Sequence, residues 1–360
     1  MKVHPKRGAL FCTVMDCGAV GKEKIRIDEE QGVMSMERTF RYRVYSQYLK
    51  ERYEEKVYKI PIQLPVTCPN RDGRMGLGGC IFCGEEGAGF ENLSALMPVS
   101  EQLQTNIQYI RKKYKASKFI AYFQNFTNTY LPLEKFKAHI LQACHEDVVE
   151  IAISTRPDCI RDDYLAFLKE IKERHHLNIS IELGLQTVNY HTLKKINRGH
   201  TLAEFVDAVL RNKKYGFETC VHLILNLPWD DRDDVIEDAK MISALGIEQV
   251  KLHSLYIRKD TMMGRMYENK EFEMTSMEEY VERVILFLEY LHPEIVIQRL
   301  IGRAPEENTL FCNWNISWWK IKDQIDAWML ERDTYQGRKF DYLNGKALRK
   351  LQQLSCSFME

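Results

Sequence analysis

The stretch TCPNRDGRMGLGGCIFCGEEGAGF, residues 67 to 90, contains three cysteines and seven glycines. Eleven residues separate Cys68 from Cys80, and two more separate Cys80 from Cys83. Glycine adopts positive φ angles freely and lets the backbone approach a bound group closely, so a loop of this composition suits the wrapping of a metal centre. Thiolates at such spacing bind soft or borderline metals, and here they leave one of four tetrahedral positions without a cysteine.

Two kinds of metal centre are compatible with three thiolates. A structural zinc ion takes four ligands in a closed shell. It would need Cys17 or a distant histidine here, because no histidine lies between residues 5 and 138. A four-iron cluster normally takes four cysteines; with three, one iron keeps an open position to which a substrate or cofactor can bind. We therefore expect one iron–sulfur cluster, since no second C-x2-C pair occurs, and keep zinc as the alternative.

Composition narrows the class of protein. The chain has 360 residues, of which 45% are hydrophobic and 28% charged, with 51 basic and 51 acidic side chains. This balance excludes wholesale disorder and a surface that is basic everywhere, but it permits a local basic patch. No apolar run reaches the roughly 20 residues that span a bilayer, so no membrane contact is expected. Most of the 10 cysteines are scattered, which favours a reducing, cytoplasmic compartment.

The chain divides into three predicted parts. Residues 1 to 36 are interpreted as a leader that is either poorly ordered or upstream of the true start. Residues 37 to 300 are predicted to form the main domain, beginning with a helix over residues 37 to 56. Residues 301 to 360 contain four of the five tryptophans and are predicted to form a helical cap.

Short apolar runs, predicted to be buried strands, alternate with amphipathic stretches in the main domain. The first run, VYKIPIQLPV, leads into the cysteine loop, and the later ones occupy residues 118–123, 149–154, 178–183, 219–225 and 249–255. Beyond the first, the strands recur at about the length of a βαβ unit, and their continuous apolar character suits a parallel sheet covered by helices. We expect an α/β fold, a partial (β/α)6 TIM-like barrel with short terminal extensions. An open doubly wound sheet is the second choice.

In either fold the loops that follow the strands carry the chemistry. With its continuation, the cysteine loop resembles radical S-adenosylmethionine (SAM) enzymes of the YhcC/YtqA (MnmL-type) family. This family belongs to a branch with a widened first cysteine spacing, which also includes the catalytic subunit of Elongator. The resemblance covers about residues 38 to 340. It implies that Cys68, Cys80 and Cys83 hold a [4Fe-4S] cluster whose open iron is chelated by SAM. Reduction then cleaves SAM to a 5′-deoxyadenosyl radical.

Two segments resemble parts of the SAM site of these enzymes. In SIELGLQT the resemblance implies that Glu182 and Gln186 face the ribose and methionine of SAM. In LKKINRGHT it implies that Arg198 meets the SAM carboxylate, with His200 as a weaker candidate. Each has a structural alternative: a salt bridge at the barrel rim for Glu182, a loop position for Gln186, and a charge that complements a helix C-terminus for Arg198.

Three further segments follow strand ends. LILNLPWDD resembles the segment that borders adenine, with Asn226 where relatives usually have glycine and Pro228 beside it. YFQNFTNTY stands in place of a segment that holds the SAM amino group, so Gln124 and Asn125 are its candidate ligands. STRPDCI resembles a motif of the Elongator branch, with Arg156 pointing into the cavity. Ordinary turn chemistry is the alternative for each.

The substrate follows only from the resemblance. It implies radical conversion of a 5-carboxymethylaminomethyl wobble uridine in tRNA to the 5-aminomethyl form, with an electron donor such as flavodoxin or ferredoxin. About 60 residues follow the barrel, so acetyl transfer is not expected. Arg299 and Arg303 lie near the tryptophans, and arginines beside aromatic rings suit an RNA surface. For the tryptophans we prefer the alternative of a hydrophobic cap on the barrel. The alternatives are a radical SAM enzyme acting on another RNA or small molecule, and a non-catalytic zinc-bearing RNA-binding protein. The sequence identifies no catalytic residue.

Overall fold

The structure is a computed structural model that describes residues 40–85, 87, 92–304 and 307–349. The predicted leader, residues 1 to 36, lies outside the described residues, as does the end of the predicted cap. None of the described helices is long and apolar enough to cross a membrane.

Nine strands occur in the described part of the chain. They are β1 (Val57–Ile62), β2 (Lys118–Phe123), β3 (Val148–Thr155), β4 (Asn178–Gln186), β5 (Glu218–Ile224), β6 (Gln249–His253), β7 (Ile257–Arg258), β8 (Val296–Arg299) and β9 (Thr309–Phe311). Seven of them form one curled sheet in the order β1-β2-β3-β4-β5-β6-β8, in which every pair is parallel. The other two, β7 and β9, pair antiparallel.

Helices separate these strands. The described helices are α1 (Tyr45–Tyr53), α2 (Val99–Tyr114), α3 (Leu133–Gln142), α4 (Asp162–His175), α5 (Tyr190–Lys195), α6 (Leu202–Lys214), α7 (Arg232–Ala244), α8 (Met262–Glu268), α9 (Met277–Tyr290) and α10 (Trp318–Glu331). Local sequence fixes several of their starts: Thr201 and Glu204 form a capping box on α6, which satisfies two backbone donors at that end. The helices cover the sheet and bury its apolar strands in one large core.

The predicted partial barrel is confirmed. The strand order runs in one direction from β1 to β8, whereas a doubly wound sheet reverses its order near the middle. The sheet has seven parallel strands rather than six, because β8 was not predicted as a strand. This strand has only four residues and ends in Gln298 and Arg299, so its apolar run is too short to stand out. One edge of β8 pairs with β6, and on its other edge Ile297 forms an isolated parallel bridge with Val44.

The helix predicted over residues 37 to 56 is shorter in the structure, because α1 begins at Tyr45. Just before it, the carbonyl of Arg43 accepts a hydrogen bond from the Ile297 amide at 2.9 Å. The chain is extended there because it pairs with β8, and this tertiary contact overrides helix propensity. Tyr45 and Leu49 of α1 then pack with residues of the curled sheet, including Ile120.

The C-terminal helix α10 contacts α9 and buries Ile321, Ile325 and Met329. Three of the nearby tryptophans pack against the main core: Trp314, Trp318 and Trp328. Their packing agrees with the cap interpretation, in which they are apolar covering rather than an RNA surface. The division of the chain at residue 300 stays a prediction.

Candidate active site

The cysteine loop follows β1 and lies at the carboxyl end of the sheet. It is closed by its own backbone, since the Gly79 amide donates to the Asn70 carbonyl at 2.8 Å, and it is fastened to the end of α5 by a 3.0 Å bond from the Ile81 amide to the Ile196 carbonyl. Gly79 has φ +81°, and a Cβ there would lie 2.9 Å from the side chain of Arg71. A larger residue would therefore push Arg71 away from the loop.

Arg71 contacts the third cysteine of the loop. Its NH1 lies 3.3 Å from Cys83 Sγ and also donates to the Cys83 and Gly84 carbonyls. Burial and the neighbouring Cys80 raise the pKa of the Cys83 thiol to about 11, and Arg71 only partly opposes this. The thiol is therefore protonated without a metal, and metal binding has to displace that proton.

Two further arginines reach the other thiols. Arg198 NH1 lies 3.6 Å from Cys80 Sγ, and Arg156 NH1 lies 4.0 Å from Cys68 Sγ. Arg156 is held in place by a bidentate pair with Asp158, at 2.8 and 2.7 Å, and by the Arg198 carbonyl at 2.8 Å. Each thiol therefore has a guanidinium beside it, which suits a centre whose thiolates carry negative charge.

The spacing of the three sulfurs fits a cluster better than a single ion. At least two of the three sulfurs lie more than 4.8 Å apart, because the three are not among the described residues whose possible ligand atoms all lie within that distance of one another. A tetrahedral zinc ion with Zn–S bonds of about 2.3 Å would hold its sulfurs about 3.8 Å apart. A four-iron cluster binds each cysteine at a different corner and so tolerates wider spacing. Soft donors, wide spacing and adjacent cations together fit an iron–sulfur cluster.

A further cysteine approaches this group. Cys159 follows Asp158 and lies 3.7 Å from one of its carboxylate oxygens. Burial, then Asp158, raises the pKa of the Cys159 thiol to about 12, and Cys68 contributes in the same direction. An acidic neighbour disfavours the thiolate that a metal requires, so we interpret Cys159 as a thiol outside the ligand set.

The segment expected to hold SAM is built around the carbonyl of Gly184. Arg198 donates to it through Nε at 3.1 Å and NH2 at 2.6 Å, and His200 Nε2 lies 3.1 Å from it. The Arg198 fork thus binds a backbone carbonyl and faces a thiol in this structure. Gln186 has φ +83°, and a Cβ on Gly184 would lie 2.8 Å from both the Gln186 and Arg198 side chains.

The remaining predicted residues border the same end of the sheet. Asn125 is buried and faces the cysteine loop, since a Cβ on Gly87 would lie 2.3 Å from its Oδ1. Gln124 follows β2, and its amide donates to the Ile62 carbonyl at 3.3 Å. Both positions stay candidates for the SAM amino group.

Asn226 connects two loops at this end. Its Oδ1 accepts the Leu255 amide at 2.7 Å, while its Nδ2 is buried and has no hydrogen-bond partner in the described structure. Pro228 follows two residues later in the same loop. The free donor of Asn226 fits a ligand that offers a ring nitrogen or oxygen, as adenine does.

Glu182 differs from its predicted position. It lies inside β4 rather than at its end, because the ladder with β5 continues as far as Gln186. The side chain is fully buried, bonded to Lys59, to His222 at 2.7 Å and to Lys251 at 3.3 Å. The salt-bridge alternative therefore describes this structure, with the bridge inside the barrel rather than at its rim.

The electrostatics of this interior group favour a charged Glu182. Burial alone would raise the pKa of Glu182, but Lys251, Lys59 and the hydrogen bond from His222 hold it well below its usual range. Burial lowers the pKa of Lys251 to about 8 and that of His222 to about 4. Near neutral pH the group therefore holds a carboxylate, two ammonium groups and a neutral imidazole.

The sequence reasoning did not single out Arg71, Lys59, Lys251 or His222. A signal for the last three exists, because each interrupts an apolar strand with a polar residue. Alternate residues of a strand face the same side, so the lysine of VYKIPI and the polar positions of QVKLH and TCVHL face the barrel interior. Nothing local marks Arg71, whose contact depends on the loop folding back.

Two cavities lie outside this interior. One of about 530 Å³ is lined by Asn189, His191, Thr192, Lys194, Lys195 and Trp229, beside the α5 end that holds the cysteine loop. Lys195 stacks over the Trp229 ring at 5.0 Å, and Lys194 over Tyr190 at 4.4 Å. The other, of about 500 Å³, is lined by residues such as Arg43, Glu218 and His292. It lies at the amino ends of the strands, away from the cysteines.

Family models match most of the chain. The Radical SAM superfamily model matches residues 66–242, and the Radical_SAM C-terminal domain model matches residues 247–331. The first match begins just before the cysteine loop and runs through β2 to β5, and the second includes β8 and the whole of α10.

Named relatives extend this similarity. The chain is 36% identical to the uncharacterized protein YtqA of Bacillus subtilis over 307 residues, 84% of this chain and 94% of YtqA. It is 30% identical to the protein YhcC of Escherichia coli K12 over 285 residues, 79% of this chain and 90% of YhcC. A partial match, 26% identical over 162 residues, covers 43% of this chain and 28% of a tRNA uridine(34) acetyltransferase of Methanocaldococcus jannaschii.

Among solved structures, the Elp3 of Methanocaldococcus infernus with an N-terminal deletion has a similar fold. The TM-score is 0.59 at 16% identity, covering 78% of this chain. The alignment spans 64% of the Elp3 chain, so more than a third of the Elp3 chain is not matched by this protein.

Proposed function

The chain belongs to the radical SAM superfamily and, within it, to the family of YtqA and YhcC, and we propose that it modifies the wobble uridine of tRNA. As a radical SAM enzyme it uses a [4Fe-4S] cluster and SAM, which supply a 5′-deoxyadenosyl radical when bound. The non-catalytic zinc interpretation is not favoured by this membership. The observation that carries the proposal is the group of three thiols, each with a guanidinium beside it, at the carboxyl end of the half-barrel.

The protein's own residues bind and orient these groups. Cys68, Cys80 and Cys83 are the proposed cluster ligands. Arg71, Arg156 and Arg198 offset the negative charge of the thiolates. Arg198 also fixes the Gly184 carbonyl at the end of β4, so one side chain couples the cysteine loop to the segment proposed to hold SAM. The proposed SAM contacts are Gln124, Asn125, Arg156, Glu182, Gln186, Arg198, Asn226 and Pro228. Of these, Glu182 is bound to Lys59, His222 and Lys251 in this structure, so it would have to exchange a partner to reach SAM.

The proposed substrate is a 5-carboxymethylaminomethyl uridine, which becomes the 5-aminomethyl form. Removal of the carboxymethyl group as glyoxylate, with water adding across the oxidised carbon–nitrogen bond, releases two electrons and two protons. Cleavage of one SAM to methionine and 5′-deoxyadenosine takes up two electrons and one proton, so the reaction balances with one proton released. An electron donor such as flavodoxin or ferredoxin is proposed to start the cycle.

Two observations support RNA as the substrate. The partial relative in Methanocaldococcus jannaschii is named for uridine 34 of tRNA. The cavity beside the cysteine loop is lined by Lys194, Lys195 and Trp229, and cations interleaved with aromatic rings suit phosphate and base contacts. Cytoplasmic tRNA is consistent with the described cysteines, which are all free thiols.

Nucleoside mass spectrometry of tRNA from a strain that lacks the protein tests the proposal. We expect the 5-aminomethyl form and its products to be lost and the 5-carboxymethylaminomethyl form to accumulate. Complementation with the wild-type chain should restore the pattern, and complementation with Cys83→Ala should not. Unchanged wobble uridines would refute the tRNA substrate and leave a radical SAM enzyme that acts on another RNA or small molecule.

A further inference from the structure

The barrel interior carries more positive charge than its own carboxylates balance. Lys59 and Lys251 both bind Glu182, and Arg299 is the cross-strand neighbour of Lys251 in the pairing of β6 with β8. Three cations thus share one buried carboxylate. Two other acidic side chains lie toward the amino ends of the strands, with partners of their own: Glu218 pairs with Arg52, and Glu150 bonds to Ser180 and Tyr53.

Arg299 is the cation without an ionic partner. No carboxylate lies within 4.0 Å of it in the described part of the chain, and its Nε is buried without a hydrogen-bond partner there. Its NH2 faces the ring of His253, 2.6 Å from Nδ1. The Arg299 side chain is half-buried, and an unused donor at its buried Nε is costly. The planar fork of its guanidinium matches the two oxygens of a carboxylate.

The position of Arg299 relates it to the proposed cluster. Arg299 ends β8 and His253 ends β6, so both lie at the carboxyl end of the sheet, where the cysteine loop follows β1. Arg299 therefore lies at the same end of the sheet as the cysteine loop.

The same interior is unsuitable for a second metal ion. Ligand atoms of Glu182, Cys220 and His222 do lie within 4.8 Å of one another, which is the spacing of a possible site. Two ammonium groups already occupy the Glu182 carboxylate, however, and would repel a divalent cation. The charge of this interior calls for an anion.

We propose that Arg299, supported by Lys251 and the neutral ring of His253, binds a carboxylate of the substrate and makes the enzyme specific for it. This inference rests on the proposed function, in which that carboxylate is the carboxymethyl end of the wobble-uridine side chain. The ion pair with Arg299 holds this carboxylate inside the barrel, while the neighbouring carbon faces the proposed SAM site. Arg299 is thus a specificity-determining residue, distinct from the arginines around the thiols.

Binding of two anticodon stem-loops tests the proposal. One carries 5-carboxymethylaminomethyl uridine and the other unmodified uridine, and both are titrated into the anaerobic, cluster-loaded, SAM-bound protein. We expect the wild type to prefer the carboxylate-bearing stem-loop by about tenfold or more, as a charge-assisted hydrogen-bonded pair allows. Arg299→Gln should reduce this preference to about one, and Arg299→Lys should keep part of it. Arg303→Gln, which removes an exposed arginine over the Trp318 ring, should leave it unchanged.

SAM is the second source of a carboxylate, and it needs its own measurement. We expect Arg299→Gln to bind SAM as the wild type does and to cleave it at the same rate without RNA, which also shows that the variant is folded. A tenfold loss of SAM affinity in Arg299→Gln would overturn the proposal and assign the anion to SAM. Equal wild-type binding of the two stem-loops would overturn it as well.

Failure of the proposed function gives a different pattern. If tRNA from the deletion strain is unchanged, the wobble-uridine reaction is wrong, whereas the stem-loop preference and its dependence on Arg299 still report on the carboxylate site. If tRNA is altered but the wild type does not prefer the carboxylate-bearing stem-loop, only the inference on Arg299 is wrong.

Discussion

Arg71 NH1 lies 3.3 Å from the sulfur of Cys83 and binds two carbonyl oxygens of the same loop. A guanidinium hydrogen-bonded to a ligand sulfur stabilises the more negative, reduced state of an iron–sulfur cluster, and so raises its reduction potential. We predict that Arg71→Gln lowers the potential by on the order of 50 mV, the equivalent of about one hydrogen bond to a charged group. Anaerobic potentiometric titration without SAM measures this.

The matched control is Arg74→Gln in the same loop, since Arg74 stacks on the Tyr130 ring and bonds to no thiol of the described residues. It should leave the potential unchanged. Equal potentials in the wild type and Arg71→Gln, at equal iron content, would contradict the proposed role of Arg71.

Replacing a proposed cluster ligand should abolish assembly. Cys83→Ala is expected to lose most of its iron and the brown colour of the reconstituted protein, and with them SAM cleavage, because two thiolates hold a four-iron cluster poorly. Iron and sulfide analysis after anaerobic reconstitution measures the loss. Cys159→Ala is the informative comparison, since burial and then Asp158 raise the pKa of that thiol and keep it protonated. It should retain the iron, and a loss equal to that of Cys83→Ala would make Cys159 a fourth ligand.

Space beside the Arg198 fork should be critical for SAM binding. A Cβ at Gly184 would meet the Arg198 and Gln186 side chains at 2.8 Å, so Gly184→Ala displaces one of them at a cost of about 1–3 kcal/mol. We expect SAM affinity to fall by tenfold or more with iron content largely kept, measured by equilibrium dialysis. In Gly302→Ala the new Cβ meets its nearest neighbour at 3.5 Å, and binding should be normal.

The lysines beside the cysteine loop should contribute to RNA affinity. We predict that the double variant Lys194→Glu, Lys195→Glu weakens tRNA binding by at least tenfold and lowers the salt dependence by about two counterions. Filter binding across several salt concentrations measures both. Lys169→Glu, on α4, is the control. SAM cleavage without RNA should be unaffected in all variants, and unchanged tRNA affinity in the double variant would remove this surface from the RNA site.

Buried histidines should make the fold sensitive to acid. Burial lowers the pKa of His222 to about 4 and that of His200 to about 3, whereas an unfolded histidine titrates near 6.5. As the pH falls from about 6.5 towards 4, the unfolded chain takes up protons that the folded chain does not, so the free energy of unfolding decreases. These two groups together contribute up to about 3 kcal/mol per pH unit, and His253, whose pKa burial also holds well below its usual range, adds to the same slope.

Urea unfolding of the anaerobic holoenzyme at several pH values measures this slope. His222→Asn should reduce it by about half of that amount, because one of the two groups is gone. His175→Asn, at the exposed end of α4, should not change it. An identical slope in the wild type and His222→Asn would contradict the buried neutral state of His222.

The parallel half-barrel could be predicted because its strands carry the information locally. Runs such as KFIAYF are apolar throughout, as strands covered on both faces must be. The two errors have a common origin: β8 is short, and residues 43 and 44 are extended only because β8 lies beside them. Neither segment is specified by its own sequence, since each depends on a partner about 250 residues away.

The proposed site was predictable to a similar extent. The cysteines could be predicted as ligands from their spacing. Arg156 and Arg198 could be predicted from motifs that resemble those of relatives. The interior charges needed the fold, because a lysine in one strand and a glutamate in another meet only when the sheet curls. The sequence marks Arg299 only as a basic residue near tryptophans, whereas in the structure it contacts His253 inside the barrel.

The strand order has a consequence for how the molecule is made. Five of its seven parallel strands pair with the strand that precedes them in sequence, and β8 pairs with β6, the preceding strand of the same sheet. The sheet can therefore grow in step with synthesis from the amino terminus. The two arginines beside Cys68 and Cys80, Arg156 and Arg198, are both present only when Arg198 has been synthesised, more than a hundred residues after the cysteines. Arg299 arrives a hundred residues later still, with the strand that joins the end of the sheet to Val44. The thiols are thus sheltered before the proposed substrate site exists, so a nascent chain can protect its proposed cluster loop before it can act on a substrate.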